Sequence, residues 1–117
     1  VDSVYLDPKV REYILDLVFA SRNPRSQELS ERQRDARLED LDGLIEYGAS
    51  PRATLALALA AKARAFADAR AYVVPQDVKD VAVEILRHRI IPTYEAEAED
   101  MSNDDLVQRL LDELRTP

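Results

Sequence analysis

Ser50-Pro51-Arg52-Ala53-Thr54-Leu55-Ala56-Leu57-Ala58-Leu59-Ala60-Ala61-Lys62-Ala63-Arg64-Ala65-Phe66 reads as one long helix. Ser50 is a capping residue type, and Pro51 suits the first turn, where no backbone donor is needed. Ten alanines fall between Ala53 and Ala71. Alanine has the highest helix propensity, and its small side chain lets neighbouring helices approach closely. This segment is expected to be the central helix, with Leu55 and Leu59 in the core.

Working outward, three further helices are expected. Asp7 can cap and Pro8 can open a helix that carries Val10, Tyr13, Ile14, Leu17 and Val18 at helical spacing and stops near Ser21. Pro75 opens another, with Val78, Val81, Ala82, Ile85 and Leu86 on one face. Ser102 caps the last, where Asp104 and Asp105 suit the positive end of the dipole and Leu106, Val107, Leu110, Leu111 and Leu114 form an apolar stripe. A short helix through Leu41, Leu44 and Ile45 is expected to end at Gly48. Glu95 to Asp100 is acidic and expected to be irregular. The stretch from Arg25 to Asp42 is crowded with charge, and its part 25–40 is expected to be an exposed insertion. Ser30 and Gln33 have the spacing of a capping box there. No strand alternation of useful length is visible. The expectation is one all-α domain over 1–117, a compact bundle of four to five helices.

Composition narrows the function classes. The 117 residues suffice for one modest core. Without cysteine, neither a disulfide framework nor a thiolate metal site can form. A single histidine, His88, rules out a His-based metal cluster and makes a Ser-His-Asp arrangement a poor fit. As one of several basic residues near a helix end, it reads as a buried or capping group. The net charge of −7 repels phosphate backbones, so nucleic acid is not an expected partner. No apolar run reaches membrane-spanning length, and a cytoplasmic location is expected.

Few residues carry chemistry. Gly43 and Gly48 have the outer spacing of a phosphate-binding loop, but Ala49-Ser50 follows where Lys and Ser/Thr are required. Glu95, Glu97, Glu99 and Asp100 lack the spacing and central glycine of a calcium loop. Arg52 breaks a local rule, because a cation at a helix start opposes the dipole by ~0.3–1 kcal/mol. It either turns to solvent or to Glu46, or joins the helix N-terminus in holding a phosphate.

Gly48-Ala49-Ser50-Pro51-Arg52-Ala53 resembles the G-A-S-P-R-A signature of MoxR-type AAA+ ATPases, in the lid behind their nucleotide-binding core. Arg70-Ala71-Tyr72-Val73-Val74-Pro75-Gln76-Asp77-Val78 is similar to that family's R-x-Y-V-T-P-E-D-V stretch. Leu86-Arg87-His88-Arg89-Ile90 is similar to its L-R-H-R-I ending, and the likeness extends over almost the whole chain. It implies that Arg52 is the sensor 2 residue, reaching the γ-phosphate of ATP, with Ser50 and Tyr47 beside the nucleotide. It also implies that ATP and Mg2+ are bound chiefly by a core domain, that neighbouring subunits form a ring, and that clients are remodelled, sometimes with a von Willebrand A-domain partner. Val74 replaces the family's Thr, Glu31 to Asp40 exceeds its usual connection, and no core domain is present in these 117 residues. Read without the resemblance, the helices also suit a stand-alone adaptor that binds a protein through an apolar groove. A helix-turn-helix regulator fits poorly, for want of a basic recognition helix.

Overall fold

The computed structural model describes residues 3–23, 29–33, 43–50 and 52–117. The elements in chain order are helix α1 (Pro8–Arg22), a 3-10 turn (Glu31–Gln33), strand β1 (Ile45–Tyr47), and helices α2 (Arg52–Ala67) and α3 (Pro75–Leu86). Strand β2 (Ile91–Pro92) and helices α4 (Tyr94–Ala98) and α5 (Asn103–Glu113) follow. The all-α expectation holds, with a two-stranded antiparallel ribbon added.

Each long helix begins as its sequence dictates. Asp7 accepts from the Lys9 N–H at 2.8 Å, with Pro8 behind it. At α5, Ser102 and Asp105 bond each other's backbone N–H groups, at 3.1 and 2.9 Å, in a complete capping box. The valine at the α3 cap supplies no side-chain acceptor. Its own N–H instead donates to Asp77 at 2.8 Å, so half the box survives the exchange of Thr for Val.

The core gathers around α1, whose Tyr13, Ile14 and Leu17 are fully buried, with Leu57, Val78, Leu86, Leu106 and Leu110 packed from the other helices. On α2 the buried stripe is Ala53, Leu57, Ala61 and Ala65. Their mostly methyl-sized side chains let α2 lie close against its neighbours, as its composition predicts.

Several expectations need correction. Ile45 to Tyr47 is strand and not the end of a short helix; Leu41 lies outside the described residues. The strand forms because β2 supplies a partner far along the chain, pairing Ile45 with Pro92 and Tyr47 with Ile91. Tyr94–Ala98 is a helix capped by Thr93, which accepts from the Ala96 N–H at 3.3 Å. Leu55 and Leu59 are 64% and 48% exposed, because α2 turns its alanine face inward. Val81 and Ile85 lie half-buried against the core. His88 is exposed and does not cap a helix, since Arg87 takes the C-cap position of α3.

Segment 25–40 is described only at 29–33, and that part is anchored. Asp16, 1% exposed on α1, accepts from the Ser30 N–H at 2.9 Å, the Ser30 hydroxyl at 2.6 Å and the Gln33 amide at 3.0 Å. Gln33 also donates to the Arg115 carbonyl at 2.9 Å and accepts from the Arg115 N–H at 2.7 Å. A buried carboxylate needs such donors. The 3-10 turn and the C-terminal end are thereby tied to α1, so these residues are not a solvated excursion.

Candidate functional site

The loop that leads into α2 is set by contacts with the last turn of α1. A Cβ at Gly48 would overlap the Ser21 carbonyl, so only glycine permits this approach. Gly48 therefore does not act as a helix terminator; among the described glycines the positive φ, +84°, belongs to Gly43. The next residue, Ala49, is fully buried and its N–H donates to the Ser21 hydroxyl at 3.1 Å. Ser21 in turn donates to the Val18 carbonyl at 2.7 Å. Buried backbone groups need such partners, and the hydroxyl relays one here.

Beyond this anchor the chain turns outward. Ser50 is exposed and its carbonyl accepts from the Ala53 N–H at 2.9 Å, closing the first turn of α2. Pro51 lies outside the described residues. Ala53 is fully buried, while Arg52 beside it is exposed and has no hydrogen bond or ion pair among the described residues. Distinct roles thus share six residues. Glycine permits contact, two alanines pack inward, and one arginine heads a helix pointing away from the core.

Of the three expected site residues, the structure brings Ser50 and Arg52 together at the start of α2. Tyr47 is in β1, five positions earlier, and its side chain lies outside what the structure describes, as does that of Glu46. Sequence reasoning does not single out Ser21. Its signal is a serine in the last turn of an otherwise apolar α1 face, which has a purpose only once Ala49 is seen beside it.

The second motif has a structural role. Arg70 grips both carboxylate oxygens of Asp77 at 2.6 Å and also reaches Asp68 at 3.0 Å. The Arg70 hydrogen bonds hold the Asp77 carboxyl below its usual value of 3.8, and Asp77 raises that of the guanidinium in return. Together they lock the link between α2 and α3. There, Tyr5 and Tyr72 form a parallel bridge, with the Tyr5 N–H donating to Ala71 at 2.8 Å and the Val73 N–H to Tyr5 at 2.9 Å. In the third motif, Leu86 and Ile90 are buried, and the Arg87 and Ile90 carbonyls accept from Asn103 at 2.7 and 3.2 Å.

Residues 37–110 match the AAA lid domain family. The chain belongs to that family. Its relatives place it on the MoxR side. It is 35% identical over 91% of its length to Chaperone MoxR1 of Mycobacterium tuberculosis, and 39% identical over 81% to Protein MoxR of Paracoccus denitrificans. A crystal structure of a proposed ATPase from Cytophaga hutchinsonii superposes on 99% of the chain with a TM-score of 0.84 and 40% identity. The chain spans 26% and 27% of the two relatives and 32% of that structure.

As a MoxR-type lid, the chain is fitted to part of a nucleotide site. An exposed guanidinium at a helix start suits a phosphate. Among the described residues, no group of three or more His, Cys, Asp or Glu side chains could hold a metal ion. No described helix is long and apolar enough to cross a membrane.

Proposed function

We propose that this lid supplies Arg52 as a sensor 2 residue to ATP held by the AAA+ core of the same protein. The observation that carries the reading is the contrast between Arg52 and its neighbours. Gly48, Ala49 and Ala53 are all committed to packing, while Arg52 is exposed and unpartnered among the described residues. A cation retained against the helix dipole, on an entry loop fixed by Ser21, is pre-organised for an anion that arrives from outside.

In this reading Ser50 and Tyr47 flank the nucleotide. Mg2+ is held by the core, since the described residues of the lid offer no cluster for it. Hydrolysis changes what Arg52 touches, so the angle between lid and core, and with it the contact to neighbouring subunits of a ring, depends on the nucleotide. The output is chaperone-like remodelling or maturation of client proteins in the cytoplasm, with a von Willebrand A-domain protein as a candidate partner. ATP turnover by the full-length protein, wild type against Arg52→Ala, tests the assignment. A stand-alone adaptor is the competing reading, and the exposed leucines of α2 are the observation in its favour.

A further inference from the structure

The outer face of α2 is unlike the rest of the molecule. Leu55, Leu59 and Phe66 are 64%, 48% and 60% exposed. Steps of 3, 7 and 14 residues from Arg52 put all three on one side of the helix with it, since 3.6 residues make a turn. The stripe extends about 21 Å at 1.5 Å per residue. From Arg52 to Phe66 there is no acidic residue, and the charges are Arg52, Lys62 and Arg64, in a chain that carries 23 Asp and Glu. The inward face of the same helix is built of Ala53, Leu57, Ala61 and Ala65, so three of its four largest apolar side chains point away from the core. A helix that keeps its bulk outside and its methyls inside is arranged for two partners.

We infer that Leu55 and Leu59 dock onto the ATP-binding core of the same polypeptide, in the stretch of chain outside these 117 residues. This rests on the sensor 2 reading of Arg52. Whatever surface brings a phosphate to Arg52 must cross the first turns of α2, and Leu55 and Leu59 lie one and two turns along that path. The relatives are three to four times as long as this chain, so a domain of sufficient size exists to cover the stripe. The absence of acidic residues suits a face approached by a polyanion such as a nucleotide. Phe66 lies beyond the reach of a nucleotide bound at Arg52, at the rim of a depression of about 370 Å³ lined by Val4, Ala69 and Arg70, and extends the apolar path past the phosphate.

The test is covalent side-chain footprinting of the full-length ATPase, with labelling of each residue referred to the denatured protein. Docking predicts that Leu55 and Leu59 are protected as strongly as Leu57, which is fully buried within the lid. Labelling of both leucines in proportion to their exposure in the lid alone would overturn it. Protection that disappears on dilution to the monomer would give the face to a neighbouring subunit and would also overturn it. A Leu59→Glu variant adds a functional readout, with turnover expected to fall while the melting temperature of the lid holds, because residue 59 is exposed there. Undiminished turnover and unchanged protection of Leu55 in that variant would count against docking. Footprinting the Arg52→Ala protein separates the two ideas. Protected leucines with full turnover would leave docking standing and remove the phosphate role. Unprotected leucines with turnover that depends on Arg52 would remove docking alone.

Discussion

Gly48 lies so close to the Ser21 carbonyl that a side-chain carbon at position 48 would overlap it. This approach, with the hydrogen bond from Ala49 to the Ser21 hydroxyl, fixes where α2 begins and therefore where Arg52 stands. Gly48→Ala should destabilise the lid by roughly 1–3 kcal/mol, because the obstructing atoms are backbone and cannot rotate aside. Ser21→Ala should cost about 1–3 kcal/mol by leaving the buried Ala49 N–H without an acceptor. Thermal melts of both variants check this, and unchanged midpoints would show that the loop relaxes freely.

The Tyr13 hydroxyl is buried and has no hydrogen-bond partner among the described residues. Burial, and secondarily the charge of Asp16, pushes this tyrosine up to about 12 from 10.0. A raised value means that the folded state favours the neutral phenol. The unfolded chain ionises first, so stability is fully present below pH 10 and drains away as pH rises towards about 12. Tyr13→Phe should flatten that alkaline loss. At neutral pH the variant should be as stable as wild type or more so, by up to about 1–3 kcal/mol, since an unsatisfied hydroxyl is removed. Chemical denaturation at pH 7 and near pH 11 measures both effects, and marked destabilisation at neutral pH would reveal a partner for the hydroxyl.

At the acid end Asp77 governs. Its carboxyl is held below 3.8 by Arg70 first and by the Val74 N–H, against the cost of burial. A depressed value contributes stability that is present above pH 3.8 and is lost as pH falls through the lower folded value. Arg70→Lys should lower the melting temperature, because a point charge cannot reproduce the two-pronged grip at 2.6 Å. It should also weaken the acid dependence. Melting curves from pH 2 to 7 for wild type and variant decide, and parallel curves would dissociate Arg70 from the acid transition.

Much of this is legible in the chain, and the rest is hidden for identifiable reasons. Asp7-Pro8, Ser50-Pro51, Pro75 and Ser102 each announce a helix through local rules, and each helix is there. The β1–β2 ribbon depends on Ile45 meeting Pro92, a pairing that no local window contains. Thr93 caps a helix of five residues, too short for periodicity to register. The inward face of α2 runs against expectation because bulk suggests burial, whereas close helix packing selects Ala53, Ala61 and Ala65. Asp16 and Gln33 look like surface residues until their partners, Ser30 and the Arg115 backbone, arrive from elsewhere in the chain. At the site, the sequence points to Arg52 but conceals Ser21, whose use depends on a hydrogen bond from 28 positions away.

The assignment of Arg52 to the γ-phosphate is tested most directly by ATP turnover of the full-length protein, wild type against Arg52→Ala, beside a melt of each. The account predicts a fall of about 10–1,000-fold with the fold intact, the range expected when a charge-assisted hydrogen bond to the transition state is removed. Arg52→Lys should recover part of it, because the charge returns without the planar fork. The melting temperature of the Ala variant should hold or rise slightly, since alanine is the better helix former and a cation has left the positive end of the dipole. Undiminished turnover by a properly folded Arg52→Ala protein would contradict the account.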